Sequence, residues 1–447
     1  MKKVFISTAL LIGIIGVAQE HFSGINTSKR VGILNANINP AELNNLSSDF
    51  EVSVFNFSTN ISNNKITFNE LVNGSNIEDK FFTGTDPANI RLDVLINGPS
   101  FAMKYKKWGF GLFSSANVKT NAIDVDVNLG DALTNSFVGS AAINSNYNQR
   151  LNAATWGEIG LAASRNILDS EKHRFNVGAT VKFLFPGSYM NLGVSNLKGT
   201  ITNTFGDINL TNATADVNIS YSGSLADNYT DSSNYSKLFA GGLNGFGAEI
   251  GVNYQLKEPK TDESSSNGYK LNAGLSFRNM GTMSFKSENN VATDYNLEIQ
   301  GFEALNLNQF DGSESITDIE TILVNSGYLT VENTSKDFKI KLPAVINAYV
   351  DYHIHNKWYI SAYTQQKLAD DSENDFTTIQ NVITVTPRFS GKHYEVYVPF
   401  SQNEVSDFTT GFGFRLGGFF MGSSSIITAV INDSTQADIY LGFRFGI

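Results

Sequence analysis

The sequence predicts an all-β fold: a transmembrane antiparallel β-barrel of about 14 strands that crosses its membrane without any helix. Three observations predict it. Segments of about ten residues alternate apolar and polar side chains at period two, which places one set on each face of a strand. Charged residues make up 17% of the 447-residue chain and hydrophobic residues 41%, whereas soluble domains carry roughly 25% charged. Finally, ionised residues inside these segments fall repeatedly on the non-apolar parity. That parity keeps them out of lipid, where an Arg or Lys at mid-bilayer costs about 2–4 kcal/mol.

The first residues read as a secretory signal over 1–18. Lys2 and Lys3 precede an apolar run from Val4 to Val17, and small residues Gly16 and Ala18 mark a cut near Ala18 or Gln19. No other stretch approaches the ~20 apolar residues a membrane helix needs. Cys is absent, which excludes disulfides, a lipid-anchored cysteine and thiolate metal sites. The net charge of -11 argues against nucleic acid as a partner.

The strand series begins with "FEVSVFNFS" at Phe50, followed by "FAMKYK" at Phe101, "WGFGLFSSA" at Trp108 and "WGEIGLAASRNI" at Trp156. In "RFNVGATVKFLF", Phe175, Val177, Ala179, Val181, Phe183 and Phe185 share one face, opposite Asn176, Gly178, Thr180 and Lys182. "FGAEIGVNYQL" repeats the pattern, with Phe246, Ile250 and Val252 opposite Gly247, Glu249 and Asn253. "KIKLPAVINAYVDYHI" reads as one long strand, with Ile340, Leu342, Ile346, Val350 and Ile354 facing lipid and Lys341, Asn347 and Asp351 facing the lumen.

Further strands are expected near Leu271–Met280, Asn296–Gly301, Trp358–Gln365, Val382–Phe389, Tyr394–Phe400, Thr409–Leu416 and Phe419–Ile431, with "ADIYLGFRFGI" as the last. Parity assigns Lys182, Glu249, Arg278, Lys341, Asp351, Arg415 and Arg444 to the lumen. Pro186 and Pro343 interrupt otherwise regular strands and mark candidate bulges.

Short turns around Asn356 and Gly391 alternate with long polar stretches at Asn121–Asn152, Gly187–Gly242 and Phe302–Asp337, the asymmetry of periplasmic turns and outer loops. Within the last of these, "SITDIETILVNSG" has Ile316, Ile319, Ile322 and Leu323 at helical spacing, so a short helix is expected on or over the barrel mouth. "ITFNELVNG" suggests another near Ile66.

The final residues resemble the β-signal that the outer-membrane assembly machinery reads, carried here by Tyr440, Gly442, Phe445 and Ile447. Near the mature N-terminus, "GILNANINPAELNN" resembles the "NPA" segment of FadL-type fatty-acid transporters and of PorV-like barrels, with Asn39, Pro40 and Ala41 carrying the match. The resemblance implies an uncharacterised FadL-like barrel over 50–447, with residues 19–49 as a hatch inside the lumen. It also implies residence in the outer membrane of a diderm bacterium among its lipids, after cleavage of the signal peptide.

Two functions are then expected: passive uptake of small hydrophobic molecules or, alternatively, an interaction role in an outer-membrane secretion or assembly complex.

Catalytic chemistry finds no support in the residues. There is no GxSxG elbow, no HExxH and no Walker loop. His353 and His355 form an HxH pair with no third ligand in sight, and His173 and His393 are isolated. The glycines from Gly241 to Gly247 lack the strand-to-helix context of a phosphate cradle, and Asp262 and Glu263 read as a solvated turn. No enzyme, cofactor or metal is expected.

Overall fold

The computed structural model describes residues 21–73, 80–134, 139–258, 268–431 and 433–446. The expected signal peptide at 1–18, the Asp262–Glu263 pair and Ile447 lie outside them.

The first seven barrel strands are β1 (Phe50–Asn63), β2 (Ala88–Asn97 continued by Ser100–Tyr105), β3 (Trp108–Val125), β4 (Gln149–Asp169), β5 (His173–Thr204), β6 (Gly245–Lys257) and β7 (Tyr269–Phe285). The ring continues through β8 (Phe338–Lys341 and Val345–His355), β9 (Trp358–Lys367), β10 (Val382–Ser390) and β11 (Tyr394–Tyr397 and Phe400–Asn403). It ends with β12 (Asp407–Thr410 and Phe412–Leu416), β13 (Phe419–Ser423) and β14 (Gln436–Gly446). All 14 pair antiparallel, and β14 closes on β1 from Glu51↔Gly446 to Ser62↔Gln436, so the barrel has no free edge.

Period-two alternation decides what each face meets. On the outside stand Phe101, Met103, Phe110, Leu112, Val350 and Tyr352, all exposed on the isolated chain. On the inside stand Asn176, Thr180, Asn253, Asn347 and Asp351, all buried. Buried polar groups inside a greasy cylinder invert a soluble core, as a bilayer solvent requires.

Lys341 departs from the expected parity. The run read as one strand breaks at residues 342–344, around Pro343, and the alternation changes phase across the break. Below it Val345, Asn347 and Tyr349 point inward; above it Ile340 and Leu342 are buried with Trp156 and Phe285. Lys341 is therefore half exposed on the other side, paired with Glu373 at 2.7 Å, and is not a lumen residue. Proline removes a ladder donor, which allows this change of phase.

Asn296–Gly301 is not a barrel strand but part of the outer sheet, and the strand expected at Phe101 begins earlier, at Ala88, where Arg91 and Asp93 mask the apolar alternation. The expected strand at Phe419–Ile431 ends at Ser423 and gives way to a helix over Ile426–Ile431.

The long polar stretches are not irregular. β5 runs for 32 residues and leaves the barrel with its upper half. That half pairs with Gly139–Asn144 on one side and Asp207–Ser222 on the other, and Val291–Asn306 and Leu329–Ser335 complete an outer sheet. Its apolar face, including Ile201, Leu210, Ile219 and Leu297, is covered by the helix Ile316–Asn325. Ser315 caps that helix, its Oγ accepting from the Asp318 N–H at 3.0 Å. The helix sits on the outer sheet, with Ile316 and Leu323 buried among its apolar residues. The second expected helix is present at Phe68–Asn73.

Candidate functional site: an occupied lumen

Residues 21–49 fill the lower lumen as short helical turns, Lys29–Val31, Ile33–Ala36 and Pro40–Asn45. The Asn-Pro-Ala sequence explains the last turn locally. Asn39 is extended and its Oδ1 accepts from the Ala41 N–H at 3.0 Å, while Pro40 supplies the first helical φ. The same Asn39 then reaches the wall: its Nδ2 donates to the Val252 carbonyl of β6 at 2.8 Å and to Tyr349 Oη at 3.3 Å.

Glu42, one turn later, is the hub. Its carboxylate accepts from Asn253 at 2.8 Å, Asn272 at 3.1 Å and Asn45 at 2.7 Å, and also from the Tyr349 hydroxyl. Glu51 at the start of β1 holds the other side. It accepts from the Ile33 N–H at 2.9 Å and pairs with Arg444 at 3.2 Å.

The wall makes room for this segment with glycines at inward positions. A Cβ at Gly178 would lie 2.5 Å from the Ala41 nitrogen, and one at Gly251 would lie 2.1 Å from Asn39 Oδ1. Gly178→Val is accordingly expected to push the Pro40–Asn45 turn off β5 without breaking the barrel, because the clash is with the lumen segment's backbone. The check is a heat-modifiable barrel band on gels combined with faster trypsin cleavage at Lys29 or Arg30.

Two ion clusters line the wall around the segment. Lys182 bridges Glu158 at 2.9 Å and Glu249 at 2.7 Å, with Arg278 3.5 Å from Glu249. Around the lower wall, Arg388 is 2.7 Å from Asp351 and 3.5 Å from Glu395, and Arg415 is 2.6 Å from Glu395. Ser28 of the lumen segment donates to Glu395 at 2.7 Å. Each charge meets its opposite, which is what permits ionised groups in a dry interior.

A second stretch of chain enters the lumen from the other end. Residues 368–381, between β9 and β10, fold inward across the mouth. Asp371 meets Arg91 at 3.0 Å and Lys367 at 2.8 Å, and the Arg150 guanidinium donates to the Asp371 and Phe376 carbonyls at 2.8 and 2.9 Å. Burial by itself would raise the Asp371 carboxyl; Arg91 and Lys367 outweigh it and hold the group below the usual aspartate range. The latch therefore stays charged through neutral and mildly acidic pH and is lost only as pH falls through that depressed value.

Between the two stretches lies a cavity of about 120 Å3. Phe22, Leu95, Phe113 and Trp156 give it apolar surface, and Asn97, Asn117 and the Lys182 cluster give it polar surface. Beside it the β1–β2 ladder is interrupted. Asn56↔Asn97 and Ser53↔Ser100 pair, while β1 bulges at Val54 and β2 kinks through residues 98–99.

The residues predicted from parity separate into groups. Lys182, Glu249 and Arg278 come together on the cavity wall, Asp351 and Arg415 join the cluster below, and Arg444 anchors the lumen segment. Asn39, Pro40 and Ala41 lie in the lumen against β5 and β6. Of the four C-terminal residues, Tyr440 points inward and donates to the Ser23 carbonyl at 2.6 Å. Gly442 leaves space for Asn56 and Phe420, and Phe445 is exposed outside.

Sequence reasoning missed Glu42, Glu51, Glu158, Arg388, Glu395 and Asp371. Arg388 was within reach, because Thr384, Thr386 and Arg388 alternate with apolar residues in β10. Asp371 was not, since a loop residue has no parity. His353 is buried against Glu258 at 2.6 Å and the Asn356 carbonyl at 2.7 Å, whereas His355 is exposed. Among the described residues no group of three or more His, Asp or Glu side chains is placed to hold a metal.

A closed antiparallel ring, apolar outside and polar inside, with chain packed inside it, is a transmembrane β-barrel with an occupied lumen. The chain belongs to the Family of unknown function (DUF5723), whose model matches residues 40–424. Solved structures similar in fold include a deletion mutant of the monoaromatic hydrocarbon channel TodX, at 10% identity and TM-score 0.44 over 92% of this chain and 93% of that one. The toluene transporter TbuX of Ralstonia pickettii is 10% identical, with TM-score 0.41 over 97% and 96%. A FadL homologue of Pseudomonas aeruginosa is 10% identical, with TM-score 0.33 over 96% and 98%. No curated protein matches the sequence.

Proposed function

We propose that this protein is an outer-membrane channel for passive uptake of small hydrophobic molecules, exported by a signal peptide over 1–18 and inserted through its C-terminal residues. Residues 19–49 act as the hatch, with Asn39, Pro40 and Ala41 at its pivot, and residues 368–381 act as an outer lid over the 50–447 barrel. The observation that carries this reading is the cavity of about 120 Å3 that lies between hatch and lid. An apolar cavity of about 150 Å3 accepts benzene, so the space suits a single-ring solute. The interruption of the β1–β2 ladder beside Asn97 is the candidate route into the bilayer, since irregular backbone at membrane depth is tolerated where it borders a cavity. The channel needs neither cofactor nor catalytic residue, since a concentration gradient drives flux.

Locking the lid tests the reading. A Cβ at Gly193 would sit 3.1 Å from Asn374 Cγ, close to disulfide geometry, and the chain has no Cys of its own. In intact cells, Gly193→Cys with Asn374→Cys is expected to cut uptake of radiolabelled toluene at least about fivefold under oxidising conditions, with recovery on adding dithiothreitol. Uptake that ignores the lock, or equals that of cells lacking the barrel, refutes it.

A further inference from the structure

Resting on the channel reading, we infer that the cavity between hatch and lid is a binding site for a neutral single-ring molecule bearing one hydroxyl or carbonyl oxygen, in preference to a bare hydrocarbon. The size limit comes from the volume of about 120 Å3. The neutrality comes from the charges around it. Lys182 and Arg278 are matched by Glu158 and Glu249, and Asp93 is matched by Lys119 and by His21 at 3.2 Å. Two carboxylates face two cations on one wall, and one carboxylate faces Lys119 on the other. A charged ligand would find no free counter-charge to offset its desolvation.

The oxygen follows from groups left without partners. Asn97 is 5% exposed, lines the cavity, and its Nδ2 has no hydrogen-bond partner. The Nδ2 of Asn117, also on the cavity wall, has none either. Register places the two amides together: Asn97 is opposite Ser115 and Leu95 is opposite Asn117, so they are diagonal neighbours on one inward face, about 7 Å apart. Other buried amides with an unpartnered nitrogen, Asn121, Gln149 and Asn347, do not line this cavity. Buried donors without partners are costly, and a ligand oxygen that accepts from one or both removes that cost. A ligand without the oxygen leaves them unpaired, and sites built this way discriminate strongly against the analogue that lacks the polar atom. Trp156 stands directly opposite Asn117 across the β3–β4 ladder, giving the ring an aromatic neighbour.

Trp156 also supplies the readout. The other tryptophans, Trp108 and Trp358, are exposed on the outer face, so Trp108→Phe with Trp358→Phe leaves a single reporter inside. With the purified full-length protein in nanodiscs, excited at 295 nm, phenol is expected to change Trp156 fluorescence saturably. Toluene, its near-isostere without the oxygen, should bind about tenfold more weakly. Asn97→Leu with Asn117→Leu should abolish that preference while heat-modifiable mobility reports an intact barrel. Thr384→Val, buried on the inner face of β10 against Ser401 and not on this cavity's wall, should leave the preference unchanged.

Equal or tighter toluene binding, saturable binding of neither, or a preference that survives the double Asn variant would overturn the inference. The channel reading fails separately, if cellular uptake of both solutes ignores the lid disulfide. Uptake controlled by the disulfide without a phenol preference sinks only the ligand class.

Discussion

Replacing Glu42 by leucine is expected to unseat residues 21–49 from the lumen wall. Its carboxylate accepts from Tyr349, Asn253, Asn272 and Asn45, all buried. Leucine leaves these donors with fewer acceptors in a place where water enters poorly. A buried group deprived of its partner costs about 1–3 kcal/mol, so the seat loses several kcal/mol in all. That sum exceeds what the neighbouring contacts of Asn39 return, each being a neutral hydrogen bond worth roughly 0.5–1.5 kcal/mol net.

Two measurements check the outcome. Trypsin should cleave at Lys29 or Arg30 at least tenfold faster, and planar-bilayer recordings should show frequent openings absent from the parent. Glu42→Gln, which keeps one acceptor oxygen, should fall between the two. A leucine variant as protected and as quiet as the parent would show that the lumen segment is held elsewhere.

The second large effect concerns the wall. Arg388 is fully buried between Asp351 and Glu395. Arg388→Met removes the shared cation and leaves Asp351 without its ion-pair partner. Glu395 keeps Arg415 at 2.6 Å. Breaking a buried pair on one side costs about 3–5 kcal/mol, so the urea midpoint of the refolded barrel should drop clearly. Adding Asp351→Asn should recover most of the loss, because the stranded charge is what costs, not the missing arginine. A single variant as stable as the parent would mean that water already reaches this cluster.

How much was legible in advance differs between wall and lumen. The alternation in β5, β6 and β14 placed Lys182, Glu249 and Arg444 inside, where they are found, and the ring has the expected 14 strands. Lys341 went astray because parity presumes an unbroken strand, and the chain changes phase at Pro343. The outer sheet was read as loop because its strands are rich in Asn, Thr and Ser on one face, so their amphipathicity is shallow. The Ala88–Asn97 strand was hidden by two inward charges, Arg91 and Asp93, that only the lid and Lys119 explain. Asn39, Pro40 and Ala41 were noticed by resemblance, but Glu42 beside them was passed over.

What the sequence determined by itself is the wall: which residues meet lipid and which meet the interior. That follows from a period of two, a local property that any ten residues express without knowing the rest of the chain. What only the tertiary structure decided is the content of the lumen. Glu42 finds Tyr349 across 307 positions and Arg91 finds Asp371 across 280, pairings between short polar segments that carry no periodic mark. Ring closure brings them together, and the cost of burying an unpaired polar group inside the ring then selects which partners meet.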